Sequence, residues 1–231
     1  PHAQKLRDNP SHGGVIYHHN LANQTNGGSM DENTANCYVV SGSGYYCFPL
    51  VYGNAIKNGA VNTSAYTPTK TGSNILTTFI NHTGNPITSP YIKENSGCVP
   101  AKAELLWQDA PGLISDVQYN NSQMQLFVNP ENYISFQVNA LTIRQGNAVI
   151  AIKDANDAIL WSWHIWVTDA DINNVIEVTN HQSQKYKFMP VYLGWCDGRT
   201  ETYAERSCKV KFTAGNASKE VIIKQVSASI T

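Results

Sequence analysis

Between Ala148 and Asp169 the chain reads AVIAIKDANDAILWSWHIWVTD, and its apolar positions recur at every second residue. Ile159, Trp161, Trp163, Ile165 and Val167 fall on one face. Leu160, Ser162, His164 and Trp166 fall on the other. A period of two sends alternate side chains to opposite sides of a strand, whereas a helix would scatter them. Asp154-Ala155-Asn156-Asp157 interrupts the pattern with turn chemistry, because Asn and Asp bond their own loop and tolerate left-handed backbone. The segment predicts a β-hairpin. Trp161, Trp163 and Ile165 are its predicted core residues. The opposite face is mixed, which leaves His164 and Trp166 either beneath a second layer or near solvent.

The same pattern predicts strands at 37–40, 45–52, 104–108, 114–119, 124–128, 134–138, 148–153, 159–167, 175–179, 189–193, 209–213 and 221–225. Short strands in this number, divided by turn signals, predict an all-β protein: an immunoglobulin-like antiparallel β-sandwich with little helix. Residues 1–35 are polar and read as an arm, with Val15-Ile16-Tyr17 its one pairing segment. Residues 36–145 form a first β region and 146–231 a second, which carries the Trp hairpin and the C-terminal strands. One domain and two packed sandwich subdomains both fit this division. Val210 and Phe212 alternate with Lys209 and Lys211, which predicts one buried and one solvated face. Residues 53–100 break the strand rhythm with Pro68, Pro86, Pro90 and Pro100, and read as a long insertion. Within it, Ser73 is placed to cap a short helix over 75–80. Long ordered loops on a rigid sandwich are where binding usually resides.

Composition narrows the partners. Only 14% of residues are charged and the net charge is −1, against about 25% charged in an average domain. No basic stripe is present, so nucleic acid is not an expected partner. No apolar run reaches the roughly 18 residues of a membrane span. The chain opens Pro1-His2-Ala3 with neither Met nor signal peptide, as expected of a mature or excised fragment. A hydroxyl- and amide-rich surface of this kind suits an exported β-protein.

The candidate chemistry is sparse. The five cysteines form no CxxC pair, which argues against zinc and thioredoxin-like sites. Cys196 and Cys208 flank a polar loop that a disulfide would close, worth about 2–3 kcal/mol in the chain-entropy model. Cys37 and Cys98 are the second candidate pair, and five reduced thiols are the alternative. His164 lacks converging ligands for a metal, and no G-x-S-x-G motif accompanies it; a packed structural histidine is the expectation. Asp169-Ala170-Asp171-Ile172-Asn173 resembles the start of a calcium loop. Its sixth and twelfth positions are Asn174 and Asn180, where an EF-hand needs Gly and Glu. No metal site and no cofactor is predicted. Sugar binding is the strongest positive reading, because carbohydrate stacks on exposed aromatic rings. Tyr45, Tyr46, Tyr66 and Tyr91 are candidates, and Trp195 with Asp197, Arg199 and Tyr203 is the most site-like group.

The motifs NTANCYVV, FPLVYGNAIKNG, AELLWQD, GNAVIAIKDANDAILWSWHIWVTD, MPVYLGWCD and TYAERSCKVKF resemble a fimbrillin-like family of exported surface proteins of Bacteroides-type bacteria. The likeness runs from about Asn33 to Gln225, and the WSWHIWV strand is its most specific part. It implies a fimbrillin-like β-sandwich, often lipid-anchored, at the outer-membrane surface of a Gram-negative cell. It also implies a pilus stalk or tip subunit or an adhesin, not an enzyme. The expected partners are other pilus or surface subunits, or host or dietary glycans. A non-catalytic carbohydrate-binding module of a glycan-utilisation system is the alternative.

Overall fold

The computed structural model describes residues 2–11, 13–23, 32–67, 78–124, 130–198 and 201–230. The chain divides into two compact units, Pro1–Trp195 and Cys196–Thr231.

The first unit contains α1 (His2–Asp8), β1 (His19–Asn20), β2 (Cys37–Val40), β3 (Gly44–Pro49), β4 (Ile56–Lys57) and β5 (Ala60–Val61). These are followed by β6 (Lys102–Gln108), β7 (Ser115–Tyr119), β8 (Tyr133–Val138), β9 (Gly146–Lys153) and β10 (Ile159–Val167). A separate ribbon, β11 (Ile176–Thr179) with β12 (Lys185–Phe188), follows. The core strands make two four-stranded sheets, ordered β1-β3-β8-β7 and β2-β10-β9-β6. Most pairs are antiparallel, but β1–β3 and β2–β10 run parallel. Because β2 pairs with β10, residues 36–145 and 146–195 share a sheet.

The sheets meet through aromatic side chains. Phe48 on β3 lies 5.0 Å from Trp163 on β10 and 5.1 Å from Tyr38 on β2. Tyr46 stacks on Phe136 of the neighbouring β8 at 5.5 Å. Each buried large apolar side chain contributes about 1.5–3 kcal/mol, and each ring pair adds roughly 0.5–1.5 kcal/mol. The architecture is all-β and sandwich-like, as predicted.

The Trp hairpin forms as predicted. Asp154 Oδ1 accepts the N–H groups of Asn156 and Ala158 at 2.9 and 2.8 Å, and Asp157 takes the left-handed φ of +68° that Asp tolerates. The pairing shifts register between Ile159 and Trp161. A bulge of this kind reverses the parity of a strand. Ile159 is therefore 43% exposed and Leu160 buried, the reverse of the expectation. Past the bulge, Trp163 and Ile165 are core residues, while Trp161 is half-buried and packs at the core's margin.

The predicted arm is docked. α1 buries Leu6 completely. His2 Nδ1 lies 2.9 Å from Asp169 Oδ2, and Gln145 Nε2 donates to Asp169 Oδ1 at 2.7 Å. Val15, Ile16 and Tyr17 are exposed and form no strand. The strand expected at 189–193 is a turn, because Pro190 lacks an N–H donor; β12 ends just before it. The strand at 124–128 lies outside the described residues from 125 onward, as do residues 75–77 of the expected helix, while residues 78–80 are not helical and Ile80 pairs with Pro86 in an isolated bridge.

All five cysteines are free thiols. The expected Cys37–Cys98 bridge is absent: Cys37 sits in β2 beside His164 of β10, whereas Cys98 Sγ lies 3.4 Å from Asn81 Nδ2 and 3.6 Å from Tyr52 Oη. Cys196–Cys208 is likewise unbridged; Cys208 stands exposed in its strand, in register with Ile223.

The second unit pairs β13 (Glu201–Tyr203) with β16 (Ala228–Ile230), and β14 (Arg206–Ala214) with β15 (Ala217–Gln225). Gly215 turns the long hairpin at a φ of +58°. The predicted buried face of Val210 and Phe212 is only partly realised: Val210 is half-buried and Phe212 is exposed. A two-stranded ribbon has no facing layer of its own.

Candidate functional site

Much of the predicted insertion is held in place by buried asparagines. Asn81 Oδ1 accepts from the backbone of Thr83 and Asn85, both at 3.0 Å, while its Nδ2 donates to Ser96 O at 2.8 Å. Asn95 Oδ1 accepts from Thr88 N at 2.8 Å, and its Nδ2 donates to Tyr91 O at 2.8 Å. Thr34 pins β4 by exchanging bonds with Ile56: Thr34 N donates to Ile56 O at 3.0 Å, and Thr34 Oγ1 accepts from Ile56 N at 3.0 Å. Buried amides that satisfy loop backbone make a long connection rigid.

Between the described residues of this insertion and β10 lies a cleft of about 430 Å³. Tyr52, Tyr66 and Ile87 are its buried walls, and Phe79 and Ile80 form an exposed apolar rim. Trp161 enters from β10, edge-to-face on Tyr52 at 5.0 Å and 88°. Its indole Nε1 donates to Asn36 Oδ1 at 3.0 Å. Asn36, Gly53 and Asn54 complete the polar part of the lining. Gly53 has a φ of +44°, and a Cβ there would stand 3.0 Å from Asn36 Nδ2. Glycine thus serves both the backbone and the close approach of the amide. Among the described residues, no lining side chain carries charge at neutral pH. Burial, with Cys98 beside it, holds the Tyr52 hydroxyl well above the ordinary tyrosine range.

Trp195, Asp197, Arg199 and Tyr203 are not assembled into one site within either unit. Trp195 closes the first unit, and its carbonyl accepts the Trp166 indole N–H at 3.0 Å. Asp197 and Tyr203 belong to the second unit, and Arg199 lies outside the described residues. Tyr46 is core, and Tyr45 lies edge-on to His18 at 5.5 Å. Tyr66 alone of the four candidate tyrosines lines the cleft.

His164 has a packed role. Asn147 Nδ2 donates to Asp109 Oδ2 at 2.9 Å and to Gly194 O at 3.0 Å. The Asn147 Oδ1 that remains faces His164 Nε2 at 2.8 Å, so Nε2 carries the proton. Burial lowers the His164 pKa, and Asp109 offsets part of that. The network ties the 194–195 segment over the outer face of β10, which explains why Trp166 is fully buried. Asp109 engages Asn147, which stands between it and the imidazole.

The loop that resembles a calcium site is internally satisfied. Asp169 is held by His2, Gln145 and Lys5, and Asp171 Oδ1 accepts from Asn173 N at 3.0 Å. Among the described residues no group of three or more His, Cys, Asp or Glu is placed to hold a metal ion, and no helix is long and apolar enough to cross a membrane.

Comparison with protein-family models, with curated proteins and with solved structures gives no match.

Sequence reasoning missed the cleft because its parts are distant in the chain. The available signal was the aromatic density of the insertion's edge, at Tyr52, Tyr66 and Phe79.

Proposed function

We propose that the protein is a non-enzymatic, exported surface adhesin or pilus-associated subunit of the fimbrillin-like kind. The β-sandwich carries the part of the insertion held by Asn81 and Asn95, and the cleft against Trp161 contacts the ligand. One observation carries this reading: an aromatic cleft whose described lining holds no Asp, Glu, Lys, Arg, His or Cys. Aromatic rings beside neutral amides offer contact surface and hydrogen bonds rather than charge, which suits binding. The composition, low in charge and rich in amides and hydroxyls, favours export to the outer-membrane surface, with lipid anchoring as the resemblance implies. Other surface subunits would join by strand addition at β2 or β6, the outer strands of one sheet.

Protease shaving and antibody labelling of intact expressing cells test the placement. Beads coated with the purified chain test adhesion, with Trp161→Ala as the control. Surface labelling with Trp161-dependent adhesion supports the proposal. A chain found only inside the cell overturns it.

The second reading, a carbohydrate-binding module of a glycan-degrading system, is favoured by the pairing of aromatic walls with Asn36 and Asn54. It predicts that the chain co-purifies with a glycan-degrading enzyme rather than with a fibre.

A further inference from the structure

We infer that the cleft takes a neutral pyranose of a glycan chain, with Trp161 as its stacking platform and the Asn36 amide as its orienting donor. This rests on the binding reading above and gives it a ligand class.

Trp161 is pre-organised. Its indole is fixed at one edge by Asn36 and against Tyr52 by the edge-to-face contact. A platform already locked loses little rotamer freedom when a ligand arrives. The C–H face of a pyranose ring suits an aromatic face next to a half-wet polar rim.

The Asn36 amide has a determined orientation. An indole N–H only donates, so Asn36 must present Oδ1 to Trp161. Its NH2 then lies beside Gly53, where the missing Cβ makes room for the amide. A sugar hydroxyl or ring oxygen accepts from such a group. A purely apolar occupant would cover Asn36 and Asn54 without pairing them, at a cost of about 1–3 kcal/mol for each buried amide.

Among the described residues the lining offers no counter-charge. A uronate, a sulfated sugar or an ionic peptide side chain would lose its hydration and gain no counter-charge. The volume lies within the roughly 300–1,000 Å³ of small-ligand sites.

The test uses the full chain and calorimetric or tryptophan-fluorescence titration. The neutral probes are maltohexaose, cellohexaose, xylohexaose, mannohexaose and galactohexaose. Oligogalacturonate is the anionic probe, and a phage-displayed peptide library is the protein probe. The expected result is binding of at least one neutral oligosaccharide, unchanged between low and high salt. Trp161→Ala should weaken it at least tenfold, and Trp195→Ala should leave it unchanged. Phe79→Ala, at an exposed rim position, should weaken it severalfold and guards against a misfolded Trp161 variant. Preference for oligogalacturonate overturns the neutral class. Neutral binding indifferent to Trp161 and Phe79 overturns the site. Peptide binding that depends on Trp161, without any sugar binding, overturns the sugar class and leaves the binding cleft standing. No binding by any probe overturns both.

Discussion

Trp161 donates its indole N–H to Asn36 Oδ1 at 3.0 Å, across 125 residues of sequence, and the bond fixes one wall of the aromatic cleft. Removing the acceptor should loosen the wall without unfolding the sandwich. Asn36→Ala is expected to cost about 1 kcal/mol, the net worth of one hydrogen bond. Thermal or urea unfolding measures that cost. The Trp161 fluorescence of the folded variant should also become more mobile, read as lower steady-state anisotropy. A variant with native stability and unchanged anisotropy would mean that the bond does not hold the ring.

Trp163 faces the other way, into the core against Phe48. Its Nε1 is buried, with no acceptor among the described residues. Trp163→Ala should cost about 3–5 kcal/mol by opening a cavity. Trp163→Phe should cost far less, because it keeps ring packing and removes an unpaired donor. Equal losses in the two variants, measured by chemical denaturation, would contradict this placement.

Much of this was legible in the sequence, and the failures have physical causes. Period-two alternation located the Trp hairpin, and it placed Trp163 and Ile165 correctly because a strand's facing rule is local. The bulge before Trp161 has no compositional signature, so Ile159 and Leu160 exchanged faces. α1 has a single buried apolar residue, Leu6. Too short to be stable alone, it owes its helix to docking, which no local pattern reveals. Trp195, Asp197, Arg199 and Tyr203 were grouped by nearness in the chain. The cleft instead joins Asn36, Tyr52, Tyr66 and Trp161, which only the tertiary fold brings together.

Acid should weaken the fold in two stages. Burial lowers the pKa of His164 below its ordinary 6.5, against a smaller opposing pull from Asp109. Burial also lowers that of His18, against Asp116. The fold favours neutral imidazoles, so between the folded values and 6.5 the unfolded chain binds more protons. Their contribution is complete above pH 6.5 and is lost as pH falls through the folded values. Asp169 acts lower. Burial pushes its carboxyl up, but the bonds from His2 and Gln145 prevail and hold it below 3.8. Its contribution is present above 3.8 and lost as pH falls through the folded value. Melting temperature should be flat above about pH 7 and decline from about pH 6.5. His164→Gln keeps a donor for Asn147 and should flatten the first decline. An unaltered slope in that variant would contradict the assignment.

The five thiols should differ widely in reactivity. Burial pushes Cys37 up to about 11 and raises Cys47 further. Alkylation proceeds through the thiolate. Exposed Cys208 should react first with iodoacetamide, and fully buried Cys47 should stay protected until the chain unfolds. Denatured without reductant, the chain should titrate all five thiols. A deficit of two would reveal a disulfide.

The five tryptophans serve as reporters of where a ligand binds. Their indole N–H signals can be assigned by single substitution in ¹⁵N-labelled protein and followed as a neutral oligosaccharide is added. The Trp161 indole and the Asn36 side-chain amide should shift together and saturably. Trp163, buried in the core, and Trp195, outside the cleft, should stay still. A saturable shift at Trp195 with Trp161 unmoved would contradict the central claim, and would return the binding site to the Trp195 segment.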